Sequence, residues 1–364
     1  MSPRKLQTFS DSLSDRFHTR LLAWYDRHAR DLPWRESRDP YRVWVSEIML
    51  QQTRVAAVIA HYHEFLRRFP TVEKLAQARE ASVLAAWSGL GYYRRARMLH
   101  AAAKVVVRER GGKFPEKAEE LRDLPGVGRY TAAAIASVAF GKAVAVVDGN
   151  VERVLQRVFG RRMGGGDFWI AAEGLLDRER PGDFNQAMME LGATVCTPRG
   201  PSCLTCPVVE LCATRGEMAG SVKAVRQKKR EIRYALDYRE DAVFLVRRAR
   251  DARLMAGMWE LPEVVGAVVE ASKQQDPPAR FASRRNDKTR GNGRAAATIP
   301  ELYLTLRHSI TVTDYTVRVW RMSAPAGVRG EWVAVERLAR VALTGLARKI
   351  LRKAGFIAGL GALV

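Results

Sequence analysis

The sequence LRDLPGVGRYTAAAIASVAFGKAVAVVDGN, residues 121–150, determines the fold of the first part of this chain. A turn at residues 125–128 separates two stretches with helical patterning, and an apolar run then leads to Asp148, which is placed to cap a further helix. Glycines let such a turn approach a ligand closely, and the free N–H groups of the next helix favour an anion. We therefore expect a phosphate contact at Gly126 and Gly128, although an ordinary turn between core helices would have the same spacing.

The composition indicates a polyanionic partner. The chain has 364 residues, 47% of them hydrophobic, which is enough for two domains with cores of their own. Its 61 Lys and Arg residues against 39 Asp and Glu give a net charge of +22, and nucleic acid is the commonest partner of such a charge. The N-terminus lacks an apolar signal sequence and the apolar tail is short, so we expect a cytoplasmic, nucleoid-associated protein without a membrane partner.

Hydrophobic periodicity predicts two regions of different class. Apolar residues recur three and four positions apart through residues 13–192, which predicts a mostly α region of many short helices. Residues 221–239 are a basic connector, and alternating β-branched segments follow at residues 242–246, 302–306, 311–320 and 331–335, with a final helix at 344–353. This pattern predicts an α+β domain at residues 240–364. A mobile insertion is expected at residues 271–299, which contain few large apolar residues.

Two carboxylates have the properties that an acid and an anion require in glycosidic cleavage. Glu47 lies among apolar neighbours, so we expect its pKa to be raised toward that of a general acid. Asp148, as a helix N-cap, accepts backbone N–H bonds at the positive end of a helix, which favours its anion. Such a pair can protonate a leaving group and stabilise a cationic sugar. A solvent-facing Glu and a purely structural cap remain alternatives.

The four cysteines form one segment of spacing C-x6-C-x2-C-x5-C, consisting of Cys196, Cys203, Cys206 and Cys212. In a chain without a signal peptide they are expected to be metal ligands and not disulfides. Four thiolates suit either a tetrahedral zinc ion or an iron–sulfur cluster, and in both cases the role would be structural.

Five motifs in this order resemble the helix-hairpin-helix base-excision DNA glycosylases, and within them the MutY-type adenine DNA glycosylases, which remove adenine mispaired with 8-oxoguanine. The motifs are WVSEIMLQQTRV (44–55), GLGYYRRARML (89–99), LPGVGRYTAAAI (124–135), VVDGNVERVL (146–155) and the cysteine segment. The resemblance covers residues 15–215. It implies a catalytic domain, residues 1–220, with a six-helix-barrel subdomain and an iron–sulfur subdomain whose loop, residues 196–212, holds a [4Fe-4S] cluster.

The resemblance also implies a partner and a set of site residues. The partner would be duplex DNA with adenine opposite 8-oxoguanine or guanine, bound by a monomer. Glu47 would protonate the adenine, Asp148 would stabilise the sugar cation, and Tyr130 and Asn150 would line the same pocket. The adenine site would be shaped by Arg30, Trp34 and Arg35. The residues that fill the duplex or touch the opposing base would be Leu50, Gln52, Thr53 and Tyr92.

Two other activities remain open. In the endonuclease III type of the superfamily, a Lys at the position of Tyr130 attacks the sugar, and a phenol cannot form that Schiff base. We therefore expect a monofunctional glycosylase with little lyase activity. The alternatives are an endonuclease III-like glycosylase and AP lyase, and a non-catalytic iron–sulfur DNA-binding protein that keeps the scaffold for recognition.

Residues 242–263 resemble the Nudix-like C-terminal domain of the MutY family, which inspects the oxidised guanine. The sequence has no acid-rich Nudix box, so phosphohydrolase activity is not expected. The family commonly has Phe-Ser-His in the loop that contacts the lesion, and this chain has Leu306-Arg307-His308, so only His308 matches. This departure leaves the selectivity for 8-oxoguanine over guanine open.

Overall fold

The computed structural model of the chain describes residues 11–218, 228–252, 254–265, 300–310 and 313–357. Contacts divide the chain into two units, Met1–Lys223 and Ala224–Val364. The predicted insertion at residues 271–299 and the first part of the predicted connector, residues 221–227, lie outside the described residues. Within those residues, no helix is both long and apolar enough to cross a lipid bilayer.

The described part of the first unit is built from α-helices and short 3₁₀ turns, as the periodicity predicts. Local signals set several boundaries: the Asp39 carboxylate caps one helix by accepting from the backbone N–H of Tyr41, and Gly111, at φ 60°, ends another. The helices are α1 (Asp11–His28), α2 (Pro40–Leu50), α3 (Val55–Arg68), α4 (Val72–Gln77), α5 (Glu80–Trp87), α6 (Arg94–Arg110), α7 (Ala118–Leu121), α8 (Arg129–Phe140), α9 (Gly149–Val158), α10 (Gly165–Gly174) and α11 (Pro181–Thr194).

Helix α8 lies between α2 and α11, and its small side chains make that position possible. Residues 131–137 of α8 are all buried and five of them are Ala or Ser around Thr131 and Ile135. A Cβ on Gly182 of α11 would lie 2.7 Å from the Ser137 carbonyl oxygen and 3.0 Å from the Val138 Cα, so the backbones of α8 and α11 are in close contact. A separate core of large apolar side chains joins α1, α9, α10 and α11.

The segment between α8 and α9 is held in place by one amide side chain. Asn185 of α11 is 2% exposed, accepts from the Val146 backbone N–H at 3.0 Å and donates to the Val144 carbonyl oxygen at 2.9 Å. A buried extended segment must find such partners for its backbone groups. Asn185 thereby fixes the chain immediately before Asp148.

The second unit contains two three-stranded sheets and a C-terminal helix in its described residues. The strands are β1 (Lys228–Leu236), β2 (Ala242–Arg247), β3 (Trp259–Glu260), β4 (Glu301–Ile310), β5 (Thr313–Arg321) and β6 (Glu331–Ala334), and the helix is α12 (Gly345–Lys353). The sheet orders are β1-β5-β4, with β1 parallel to β5, and β3-β2-β6, which is antiparallel. One apolar core contains side chains of both sheets and of α12, as the α+β prediction requires.

The predicted boundary of the basic connector at residue 239 is wrong. Residues 228–236 form strand β1, which pairs with β5 in a register that places Ile232 opposite Val317. The first four residues of β1 are exposed and carry the sequence KKRE, whereas its last three are buried. The charged, exposed half of the strand therefore has the composition of a linker, and the sequence pattern gave no signal for the strand.

The close contact of α11 with α8 gives a test of the fold. We expect Gly182→Ala to lower the free energy of unfolding of the first unit by about 1–3 kcal/mol, because its Cβ meets backbone atoms that cannot rotate away. The matched control is Gly174→Ala in α10, whose Cβ would have nothing within 4 Å and which should stabilise the protein by about 0.5 kcal/mol. Urea unfolding followed by circular dichroism measures both, and equal stability of the two variants would contradict the contact.

Candidate active site

Glu47 is a buried carboxyl on α2 that contacts the hydroxyl group of Tyr130 on α8. The residue is 8% exposed, and the Tyr130 hydroxyl donates to Glu47 Oε2 at 2.7 Å. Burial raises the pKa of Glu47 from its ordinary 4.5 to about 7; the charge of Asp148 acts in the same direction, while the Tyr130 hydrogen bond and Arg35 oppose it. The predicted raised pKa is confirmed. The arrangement holds a proton on Glu47 near neutral pH.

Asp148 caps α9, as the sequence predicts. Its Oδ1 accepts from the backbone N–H groups of Asn150 at 2.9 Å and Val151 at 2.8 Å, and its Oδ2 accepts from Asn150 Nδ2 at 2.9 Å. Three donors and the positive end of the helix dipole stabilise a negative charge at this position. Because the Asp148 charge acts on both Glu47 and Tyr130, the three side chains share one electrostatic environment.

Arg153, which no sequence motif singles out, links this cap to the cysteine segment. Its Nη2 donates to Asn150 Oδ1 at 2.8 Å and to the Gly192 carbonyl oxygen at 2.6 Å, and its Nε donates to the Cys196 carbonyl oxygen at 2.7 Å. The side chains Asp148, Asn150 and Arg153 therefore form a continuous hydrogen-bonded chain. Helical spacing places Arg153 one turn after Asn150, a pattern visible in the sequence but shared by many surface pairs.

Glu190 on α11 organises two of the three residues predicted to shape the base site. It is 1% exposed; Arg30 donates to it through Nε at 2.6 Å and Nη2 at 2.9 Å, and Arg35 through Nη2 at 2.7 Å. Burial raises the pKa of Glu190, but the hydrogen bonds from the two guanidinium groups outweigh burial and hold that pKa below its ordinary value. Trp34 is placed differently, because it is buried and packs edge to face against Tyr62.

The four residues predicted to meet the duplex lie in two turns. Leu50 and Thr53 are partly buried at the end of α2, and Gln52 between them is exposed with φ 55°. Tyr92, in the turn before α6, is 47% exposed with φ 47°. Positive φ is costly for residues other than glycine and is concentrated at functional sites.

The two glycines of the turn at residues 125–128 differ, and only Gly128 has open space around it for an anion. Gly126 has φ 76°, and a Cβ there would lie 2.5 Å from the Met98 Cβ, so the position requires glycine. Gly128, the N-cap of α8, has extended backbone with open space around it. Among the described residues, no side chain caps the first N–H groups of α8, which suits a phosphate. The guanidinium of Arg129, the first residue of α8, lies 3.8 Å from the Trp169 ring centre.

The four cysteines line a single cavity together with Arg157. The Arg157 side chain is 6% exposed and donates to Cys196 Sγ at 3.3 Å and to the Thr197 carbonyl oxygen at 2.7 Å. In the described part of the chain, no three His, Cys, Asp or Glu side chains converge on a point where one metal ion could sit. Four thiols around one space suit either a tetrahedral zinc ion or an iron–sulfur cluster.

His308 lies on a strand, so its predicted position in a loop is wrong. Leu306, Arg307 and His308 belong to β4 and pair with Val317, Thr316 and Tyr315 of β5. The Leu306 side chain is 5% exposed and part of the core, and alternation along the strand places Arg307 on the opposite face. The sequence of these three residues did not indicate that strand β4 continues through them to Ile310.

The buried Glu47 carboxyl gives the site a testable cost in stability. A pKa raised above its unfolded value contributes stability that is fully present below about pH 4.5 and is lost as pH rises through about 7. Because Glu47→Gln stays neutral, we expect it to be more stable than the wild type above pH 7, by up to about 3 kcal/mol, and equally stable near pH 4.5. Urea unfolding across this range measures the difference. Glu109→Gln, at an exposed position, is the control and should show no such dependence.

Known proteins are similar to this chain in sequence and in fold. Residues 45–163 match the HhH-GPD superfamily of base excision DNA repair proteins. The adenine DNA glycosylase of Homo sapiens is 53% identical over 217 aligned residues, and the match covers 55% of this chain and 39% of the human protein. The adenine DNA glycosylase of Mycobacterium tuberculosis (strain CDC 1551 / Oshkosh) is 48% identical over 204 residues, 54% of this chain and 67% of the relative.

A solved structure agrees with these matches. The structure of a thermostable thymine-DNA glycosylase is 33% identical and superposes with a TM-score of 0.53, covering 56% of this chain and 97% of the other. The chain spans about two fifths of the length of its mammalian relatives. From the family match and the identity to these relatives, the chain belongs to the HhH-GPD superfamily of base excision DNA repair proteins and, within it, to the MutY-type adenine DNA glycosylases.

Proposed function

We propose that this protein is a monofunctional adenine DNA glycosylase of base excision repair. It would hydrolyse the N-glycosidic bond of adenine opposite 8-oxoguanine or guanine in duplex DNA. The observation that carries this proposal is the Glu47 carboxyl, whose pKa of about 7 lets it hold a proton beside the stabilised anion of Asp148. Curated relatives with the name adenine DNA glycosylase support it.

The mechanism assigns the two carboxyl groups to opposite ends of the breaking bond. Protonated Glu47 donates to the adenine ring, which makes the base a neutral leaving group and withdraws electrons from the glycosidic bond. The sugar develops positive charge, and the Asp148 anion stabilises it while water completes the hydrolysis. Asn150 and Arg153 keep the Asp148 carboxylate oriented through the contact between Asn150 Nδ2 and Asp148 Oδ2.

Tyr130 favours a hydrolase over a lyase. Its hydroxyl donates to Glu47 Oε2, and burial and the two neighbouring carboxylates raise its pKa well above its ordinary value. A neutral phenol can orient Glu47 but supplies no amine to capture the sugar as a Schiff base. The endonuclease III-like alternative, with strand cleavage at the abasic site, is therefore disfavoured.

Binding of the duplex would combine phosphate contacts with side chains that enter the stack. The N-terminus of α8 would take a phosphate through its uncapped N–H groups, and the exposed Gln52 and Tyr92 would enter the space left by the extruded adenine. Arg30 and Arg35, fixed on Glu190, would border the base site. The net charge of +22 supports strong, salt-dependent attraction to DNA.

The cysteine segment fits a [4Fe-4S] cluster held by Cys196, Cys203, Cys206 and Cys212. When bound, such a cluster would supply a rigid, multiply linked centre for a loop that has little apolar core of its own. Arg157 would donate to the thiolate of Cys196, and Arg153 would fix the backbone of that residue. The chain of hydrogen bonds from Cys196 to Asp148 would then make the cluster a support of the active site.

The second unit would be a Nudix-like domain that inspects the base opposite the adenine. Its two small sheets and α12 support an α/β recognition module, and residues 242–263 carry the sequence resemblance. His308, half-buried on β4, and the exposed Arg307 are the candidate contacts. We further propose that the protein acts as a monomer in the cytoplasm on nucleoid DNA.

Excision from a panel of duplexes tests the activity. We expect single-turnover release of adenine opposite 8-oxoguanine and guanine but not opposite thymine, with strand breaks appearing only after alkali. Glu47→Gln should lose activity by about 10³-fold or more, because it removes the proton donor, and should bind the duplex almost normally. Glu109→Gln should retain full activity.

Two outcomes of this panel would point elsewhere. Binding without excision by the wild-type protein would favour the non-catalytic alternative, and strand breaks without alkali would favour the lyase. The panel also includes thymine opposite guanine, because the related fold belongs to a thymine-DNA glycosylase.

The metal content of the purified protein tests the cluster. We expect about four iron and four sulfide per chain and a broad absorption in the violet region. Cys203→Ser should lower the iron content and also the excision rate, since the loop would no longer hold Arg153 through Cys196. One zinc ion per chain with no iron would contradict the proposal.

A further inference from the structure

A guanidinium group connects the two turns that carry the exposed Gln52 and Tyr92. Arg95, in the first turn of α6, donates through Nη1 to the carbonyl oxygens of Ile48 at 2.8 Å, Met49 at 2.9 Å and Gln51 at 2.5 Å. These carbonyl groups end α2, where helix geometry leaves acceptors without a partner and the dipole favours a cation. Arg95 thus terminates the helix that carries Glu47.

The same side chain also holds the second turn. Its Nη2 donates to the carbonyl oxygens of Leu90 at 3.0 Å and Gly91 at 3.2 Å, and to Thr53 Oγ1 in the first turn at 3.1 Å. The guanidinium lies 5.4 Å from the Trp87 ring centre and 5.6 Å from that of Tyr92. The two terminal nitrogens therefore contact both turns at once.

This arrangement serves no ion pair. In the part of the chain that the structure describes, no carboxylate pairs with Arg95, and its Nε is buried without a partner. Burial lowers the pKa of Arg95 to about 10, which still leaves the group charged at neutral pH. A half-buried cation surrounded by backbone carbonyl groups is costly, and it is retained where it fixes a backbone conformation.

Both turns have backbone conformations that need such fixing. Gln52 and Tyr92 have φ of 55° and 47°, and the second turn also contains Gly89 at 116° and Gly91 at 69°. Left-handed backbone is unfavourable for Gln and Tyr, so neither turn would hold it without contacts that compensate. Arg95 makes those contacts from beneath, while the two side chains stay exposed.

We propose that Arg95 is a positioning residue that joins the two turns into one preformed surface, here called the wedge surface, on which Gln52 and Tyr92 meet the duplex together. The proposal rests on the proposed glycosylase function and adds a step to it. Without Arg95 the two turns would order only on binding, so extrusion of the adenine would be less favourable. Glu47 is held independently by Tyr130, so the bond-breaking step would be affected less.

Arg95→Lys tests this role without changing the net charge. Lys has one ammonium group and cannot reach six acceptors in two turns, whereas Arg presents a planar fork of five N–H donors. The matched control is Arg97→Lys, two residues further along the same helix, which alters an ion pair with Glu80. Single-turnover excision of adenine is measured on a fully paired duplex and on one with mismatched flanking pairs, in which the adenine is already partly unstacked.

The ratio of the two rates separates positioning from folding, because any inactive fraction of a preparation cancels in it. We expect Arg95→Lys to lower excision from the paired duplex by about tenfold or more and from the pre-unstacked duplex by less than about threefold, since only the first substrate needs the full extrusion energy. Arg97→Lys should leave both rates unchanged. Equal losses on the two substrates would overturn the proposal.

A fluorescence measurement tests the proposal without any chemistry. 2-Aminopurine in place of the adenine becomes brighter when it leaves the stack, so the wild-type protein should increase its emission on binding and Arg95→Lys should bind with a much smaller increase. A wild-type protein that increases emission but excises nothing would refute the glycosylase activity. The fluorescence of Arg95→Lys would then decide the role of Arg95 by itself. Full emission with Arg95→Lys would refute the wedge surface.

A milder variant keeps the test decisive if Arg95→Lys does not fold. Thr53→Val preserves side-chain shape and removes one of the six acceptors. It should change the same ratio in the same direction, by about twofold to threefold. An unchanged ratio in this variant would count against the proposal.

Discussion

The hydrogen bond between Tyr130 and Glu47 is the interaction on which the rest of the site depends. It lies where α2 meets α8, and burial alone would make the Glu47 carboxyl unfavourable in its charged form. The small side chains of α8 let α2 approach closely enough for the contact. The same close packing brings Asp148 near enough for its charge to act on Glu47. Helix packing therefore accounts for both the burial of Glu47 and its raised pKa.

The parts of the site that could be predicted from sequence are those with a local signal. Glu47 stands in an apolar run, and Asp148 stands where a helix begins, so each residue's neighbours in the chain revealed its environment. The spacing of the four cysteines within 17 residues likewise announced a common site. In the fold, helical periodicity located the helices well because each amphipathic pattern belongs to a single segment.

The missing parts depend on contacts between distant segments. Glu190 is 160 residues from Arg30, and Arg95 is more than 40 from the carbonyl groups that it holds at the end of α2. A buried Glu in an otherwise ordinary helix and an Arg in a basic motif have no pattern that names their partners. Strand β1 was not predicted for a related reason, because a half-exposed strand beside a charged linker has the composition of that linker.

Helix α11 sets the spacing between several parts of the active site. Along its 14 residues it places Gly182 against α8, Asn185 against the segment before Asp148, Glu190 under Arg30 and Gly192 against Asn150. An α-helix turns by about 100° per residue, so one inserted or deleted residue after Gly182 would rotate every later contact away from its partner. The length of this helix is therefore as constrained as the identity of any acid: evolution can change its outer face freely but cannot shift its phase.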